Sequence, residues 1–296
     1  MRATRRHLLL DVTAQRKDTM MTIVLAALDT TAAARPVLET ALRIGQLIGS
    51  DVQAVHVGGG RVESIETPES LAARSEVPFR VLEGPVESAL LAALGAPEVL
   101  VAVIGARATP GGSRPVGRTA HHILEHTDKP VVIVPPDAIV PSSFRRILVP
   151  LEGTAASSQP ILERLWPVLA ADVEVVVLHV FTDATRPAMV DRPVRDFELL
   201  GREFLTRHFP KATGIELRPG PVATRVAEVC AEQGSDLIVL SWSQDSSAGR
   251  AHVIREVLGA SSVPVLLLPV TPPEMAVPIK ACSPKERPMP VPERSG

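Results

Sequence analysis

The feature that most constrains this chain is an internal repeat, because two copies of one unit must fold by one pattern. Ile23–Leu28 is an apolar run followed by Asp29, and Ile147–Leu151 is an apolar run followed by Glu152, 123 positions later. His56, within Val52–Val57, and His179, within Val173–Val180, are separated by the same 123. Glu83-Gly84-Pro85-Val86 is echoed by Pro219-Gly220-Pro221-Val222 at an offset of 136, and Val99–Ile104 by Leu237–Leu240. Pro130, Val131–Val134 and Pro135 return as Pro264, Val265–Leu268 and Pro269, offset by 134. Landmarks in constant order with small changes of offset describe two copies that differ by loop insertions and deletions.

Each copy alternates strand-like and helix-like segments. The strands are short continuous runs of Val, Ile and Leu, the pattern of strands buried on both faces of a parallel sheet. Between them, Val37, Ala41, Ile44 and Ile48 share one helical face, as do Ile161, Leu165 and Val168 in the second copy. Val86, Leu90 and Ala93 match Val222, Val226 and Val229, and Ala120, Ile123 and Leu124 match Ile254, Val257 and Leu258. Such alternation implies right-handed crossovers and an α/β fold of two tandem doubly wound domains, each a five-stranded parallel sheet. The segment from Val57 to Phe79 looks too short for a full crossover helix, and its counterpart is longer by 13 residues. The expected boundaries are 21–137 and 144–270, with a linker at 138–143. Residues 1–20 read as a disordered basic arm, and 271–296, with seven prolines, as a disordered tail.

Composition narrows the function classes. The 31 basic and 33 acidic residues nearly cancel, which argues against a duplex-binding protein held by phosphate neutralisation. With 6 Phe, 2 Trp and no Tyr, base-stacking platforms are scarce, so no nucleic-acid partner is expected. No apolar run reaches the ~18 residues a membrane helix needs. Cys230 and Cys282 are the only cysteines, which suits a reducing cytoplasm rather than a disulfide framework.

In an open α/β sheet a ligand sits beyond the strands' carboxyl ends, where the strand order reverses. Asp29, Val57 and Gly105 fall at such ends. Gly105 through Thr119 holds four glycines and three arginines and leads into a helix, a credible cradle for an anion. It is not a Walker loop, since no Gly-Lys-Ser/Thr occurs. The tandem repeat, the acid after strand one, and the glycine loop followed by a helix and a Pro-apolar strand resemble the universal stress protein family. The resemblance covers both copies and implies an adenine nucleotide alpha hydrolase-like architecture. ATP-binding members carry Gly-x2-Gly-x9-Gly-Ser/Thr. By that resemblance Asp29 contacts the nucleotide, Val57 meets the adenine through its backbone, and Gly105, Arg107, Gly117, Arg118 and Thr119 hold phosphates. The first copy departs from the pattern. Ala108 takes the second glycine position, Gly105 and Gly117 are 12 apart rather than 13, and Arg118 stands where the hydroxyl belongs, with Thr119 beside it. In the second copy Glu152 replaces the Asp, and Ser241, Gln244 and Ala251 take the glycine positions, so phosphate binding is expected in domain 1 only. Trp242 is placed to fill part of the vacated cleft.

The expected ligand is therefore ATP or another adenine nucleotide, with Mg²⁺ accompanying it. A stress-response or regulatory binding module is expected, with no catalytic residue and at most slow hydrolysis. The family also pairs its last strands, so Val131–Val134 would meet Val265–Leu268 within the chain, and a homodimer is a further arrangement. The alternative is a nucleotide-free interaction module acting through its paired domains. On that reading Asp29 is a helix-capping acid and the glycine loop a surface connection. His122-Ile123-Leu124-Glu125-His126 matches a zinc-peptidase string, but the repeat explains its Ile and Leu by packing and no metal site is expected. The acidic cluster of a phosphoacceptor receiver domain is incomplete, with Glu83 rather than Asp after strand three.

Overall fold

A computed structural model describes residues 22–58, 66–107, 116–152, 155–165, 169, 172–181, 194–210, 212, 214–242 and 250–270. The basic arm, the Pro-rich tail, and Ala108 and Gln244 lie outside these residues.

In the first half, strands β1 (Ile23–Ala27), β2 (Asp51–Val57), β3 (Phe79–Leu82), β4 (Val99–Gly105) and β5 (Val131–Val134) alternate with helices α1 (Ala34–Ile48), α2 (Pro68–Arg74), α3 (Val86–Leu94) and α4 (Arg118–His126). The second half holds β6 (Arg146–Pro150), α5 (Ala155–Pro160), a π-helical turn at Ile161–Leu165, β7 (Glu174–Phe181) and α6 (Val194–His208). It continues with β8 (Gly214–Pro219), α7 (Val222–Gln233), β9 (Leu237–Trp242), α8 (Arg250–Ala260) and β10 (Val265–Pro269). All ten strands form one sheet in the order β3-β2-β1-β4-β5-β10-β9-β6-β7-β8. Within each half every strand pair is parallel. The halves join by an antiparallel contact, Val265↔Ile133, Leu266↔Val132 and Leu267↔Val131.

The strand sequences explain the layering. Alternate residues of each apolar run face opposite sides of the sheet. On one side they pack with α3, α4, α7 and α8, and on the other with α1, α2, the π-helical turn and α6. Both cores run through both halves, so the architecture is α/β and doubly wound.

The segment before Phe79 holds a short helix, α2, of seven residues, against 15 in its counterpart α6. Thr67 caps it by accepting from the Ser70 amide at 3.1 Å, and Pro68 fills its first position, so seven residues suffice.

Candidate functional site

The order of the first half reverses between β1 and β4, and a cleft of about 750 Å³ opens there beyond the carboxyl ends of β1, β2 and β4. Asp29, Val57, Gly105, Arg107, Gly117, Arg118 and Thr119 all line it. Four elements, β1, β2, β4 and α4, and their connections bring these residues to one place, because parallel strands present their carboxyl ends on a common edge.

Asp29 follows β1 and is exposed. Its Oδ1 accepts from the Thr31 amide at 3.0 Å and from the Thr31 hydroxyl at 2.7 Å, a local turn. It is not the cap of α1, whose N-cap is Ala33 with no side-chain bond. Oδ2 makes no bond among the described residues. His56 fixes the floor: its Nδ1 bonds the Leu28 carbonyl at 2.8 Å, while the Leu28 amide donates to Val55 at 2.8 Å. A carbonyl only accepts, so this imidazole carries its proton on Nδ1. The β1–β2 ladder ends at Ala27↔Val55, so the Val57 main chain extends past the end of β1.

Gly105 closes β4 opposite Val134. A Cβ there would lie 3.6 Å from Val37 Cγ2, an ordinary contact, so this glycine keeps the wall open rather than relieving backbone strain. The Gly117 amide donates to the Ala106 carbonyl at 2.6 Å, pinning the foot of the loop where α4 begins. A Cβ on Gly117 would stand 3.3 Å from that same carbonyl oxygen, tighter than side chains usually tolerate. The first intrahelical bond of α4 runs from the His121 amide to Gly117 at 3.0 Å. The amides of Arg118, Thr119 and Ala120 therefore have no partner within the helix, and all three residues border the cleft. No acid occupies this first turn, so the positive end of the helix dipole faces the cleft uncompensated by its own helix.

Glu87, from the start of α3, is the residue that sequence reasoning missed. Its Oε1 lies 3.3 Å from Arg118 Nε and accepts from the Thr119 hydroxyl at 3.4 Å. Its own main-chain N–H holds the carboxyl below its usual range, with Arg118 and Thr119 adding to the effect against desolvation. The signal was only a Glu just after the repeated Gly-Pro-Val turn, which helix-start preference explains equally well.

The second half keeps the frame and changes the site. His179 Nδ1 bonds the Leu151 carbonyl at 2.8 Å, the counterpart of His56 and Leu28. Glu152 is exposed after β6. Trp242, expected in the vacated cleft, is instead buried at the junction. Its Nε1 donates to the Leu124 carbonyl of α4 at 3.2 Å, across the two halves. Gln244 and the rest of 243–249 lie outside the described residues.

The zinc-peptidase string also resolves. His122 and His126 stack at 4.1 Å between ring centroids, and His126 Nδ1 bonds the His122 carbonyl at 2.8 Å. Glu125 is engaged by His121 at 3.2 Å, not by either of the other two. Among the described residues no group of three His, Cys, Asp or Glu could hold a metal ion. No described helix is long and apolar enough to cross a membrane.

Residues 143–269 match the model of the universal stress protein family. Among solved structures, a protein from Pseudomonas aeruginosa UCBPP-PA14 assigned to the universal stress proteins aligns at 14% identity with a TM-score of 0.60, covering 84% of this chain and 93% of its own. A universal stress protein from Archaeoglobus fulgidus DSM 4304 aligns at 15% identity with a TM-score of 0.55, covering 85% of this chain and 97% of its own. No curated protein matches the sequence. At these identities the structural likeness establishes the shared fold.

Proposed function

From a chain that carries a universal stress protein domain at 143–269, preceded by a structural repeat of it, we propose an adenine-nucleotide-binding regulatory module. The reading divides the chain into domains at 21–137 and 144–270 and assigns the nucleotide to the first. It rests on one observation: seven residues chosen from the sequence line a single cleft at the point where the strand order reverses. The lining combines two chemistries: Val37, Val55, Val57, Val86, Leu90 and Ile104 give apolar surface suited to a purine, and the α4 amides without a partner in their own helix, with Arg107 and Arg118, suit phosphates. Asp29 has a carboxylate oxygen to offer a ribose hydroxyl. Mg²⁺ would enter with the phosphates, which supply its oxygens. Within this reading no side chain is assigned as a general base, so nucleotide occupancy is the output rather than turnover. The cysteine-poor chain suits a reducing cytoplasm.

Calorimetric titration with ATP and Mg²⁺ tests this. Saturable binding is expected, weakened at least about tenfold by Gly117→Val, whose side chain crowds Ala106, and similarly by Asp29→Ala. Absence of saturable heat at about 1 mM ATP would leave the ligand-free reading, in which the joined halves act as an interaction surface.

A further inference from the structure

A second cavity, of about 570 Å³, lies at the opposite end of β4 from the nucleotide cleft and between the two halves. Its wall is aliphatic: Ile44, Leu47 and Ile48 from the end of α1, Leu165 from the π-helical turn, and Leu266 and Leu268 from β10. Leu100 completes it for a separate reason. Ile23 pairs with Val99 and Val24 with Val101, so β4 bulges at Leu100. A bulge re-aims a side chain, and here it leaves a leucine of a central strand 42% exposed on the cavity wall. Burial in the sheet's own core does not account for that side chain. The rim is charged. Lys129 spends two ammonium protons on the carbonyls of Ala96 and Val99, at 2.5 and 2.7 Å. Arg164 makes no ion pair among the described residues, and Asp128 is the one acid among the described residues that line the cavity. Two cations against one carboxylate leave the mouth positive.

We propose that this cavity binds one amphipathic anion of the fatty-acid type, with its hydrocarbon chain along Leu100, Ile44 and Leu266 and its carboxylate at Arg164. The size falls in the range of roughly 300–1,000 Å³ typical of small-molecule sites, and the lining has their usual balance of apolar wall and few polar groups. An all-polar ligand would strand the leucines. A neutral hydrocarbon would leave the excess charge unanswered.

The test is calorimetric titration of the full chain, without nucleotide, with octanoate, decanoate and dodecanoate below their micelle concentrations. Because each buried methylene is worth about fourfold in affinity, each two-carbon step should tighten binding by up to about fifteenfold until the cavity is filled. Arg164→Glu should weaken dodecanoate at least about tenfold while leaving 1-dodecanol within about twofold. Leu100→Glu should weaken both. Both positions are exposed, so circular dichroism should show the variants folded. No saturation by dodecanoate at about 1 mM, or affinity independent of chain length, overturns the proposal. So does a Leu100→Glu variant that converts a dimer to a monomer with dodecanoate binding unchanged, which would assign this face to a second copy. None of these outcomes depends on ATP binding.

Discussion

His56 and His179 occupy equivalent places and make the same bond. Each donates from Nδ1 to the carbonyl just before the acid at the end of its half's first strand. A strand's last carbonyl has outrun its ladder partner, and an unsatisfied carbonyl at a half-buried strand end is costly. The imidazole supplies the missing donor, so the two histidines hold their acids' backbones in register. Cys230 is a different case. It is buried in α7, with only a long contact to the Ser235 carbonyl at 3.7 Å. Burial, with Asp236 nearby, pushes its thiol up to about 11 from an ordinary 9. Thiolate is the reactive form, so this thiol should be inert in the native protein. In a Cys282→Ser variant, Ellman's reagent at pH 8 should label Cys230 only after denaturant is added. The same shift has a definite sign for stability. Between pH 9 and about 11 the unfolded chain loses this proton and the folded chain keeps it, so folding stability falls as pH rises through that window. Urea midpoints should drop there in the wild type and less in Cys230→Ala. Fast labelling of the native thiol would contradict the burial argument.

Elements were legible where one local rule dominated. Apolar runs located eight of the ten strands to within about two residues, since a strand buried on both faces leaves no room for polar side chains, whereas the edge strands β3 and β8, with Arg80, Glu216 and Arg218, carry no such run. The length of the segment before Phe79 argues against a full crossover helix, while its Thr67-Pro68 pair, cap and first position, marks the start of the short one that forms. Asp29 was located correctly, yet its turn with Thr31 depends on backbone geometry that residue type alone does not specify. Glu87 escaped because α3 and α4 meet only in the folded layer. Trp242 was misplaced for a related reason. Its position at the end of β9 follows from the repeat, but its partner is in α4, contributed by the other half. That bond makes Trp242 a clasp between elements 118 residues apart. Trp242→Phe keeps most of the apolar area and strands the indole's share of the Leu124 carbonyl, so it should cost about 1–2 kcal/mol in urea unfolding. Trp242→Ala also opens a cavity and should cost about 3–5 kcal/mol. Equal losses for the two variants would mean that the hydrogen bond, not the packing, carries the clasp.

At the scale of the whole molecule, the antiparallel β5–β10 contact has two consequences. It points the carboxyl ends of the two halves in opposite directions, so the nucleotide cleft and any site of the second half cannot merge into one. It also makes the sheet continuous, and the cores on both faces cross the junction with it. Val131, Val132, Ile133, Leu266 and Leu267 are all at most 5% exposed, and separating the halves would bare them along with two strand edges. Two-domain chains often unfold in steps because their interface is small and polar. Here the interface is core, and the penalty for one half standing alone should exceed the stability of that half. A single cooperative transition is therefore expected, with far-UV circular dichroism and tryptophan fluorescence coincident in urea. Leu266→Asp puts a charge into the apolar core at the junction of the halves, and should shift both signals together by about 3 kcal/mol or more. Two separated transitions, with only one moved by Leu266→Asp, would show that each half folds without the other and that the shared cores contribute little to either.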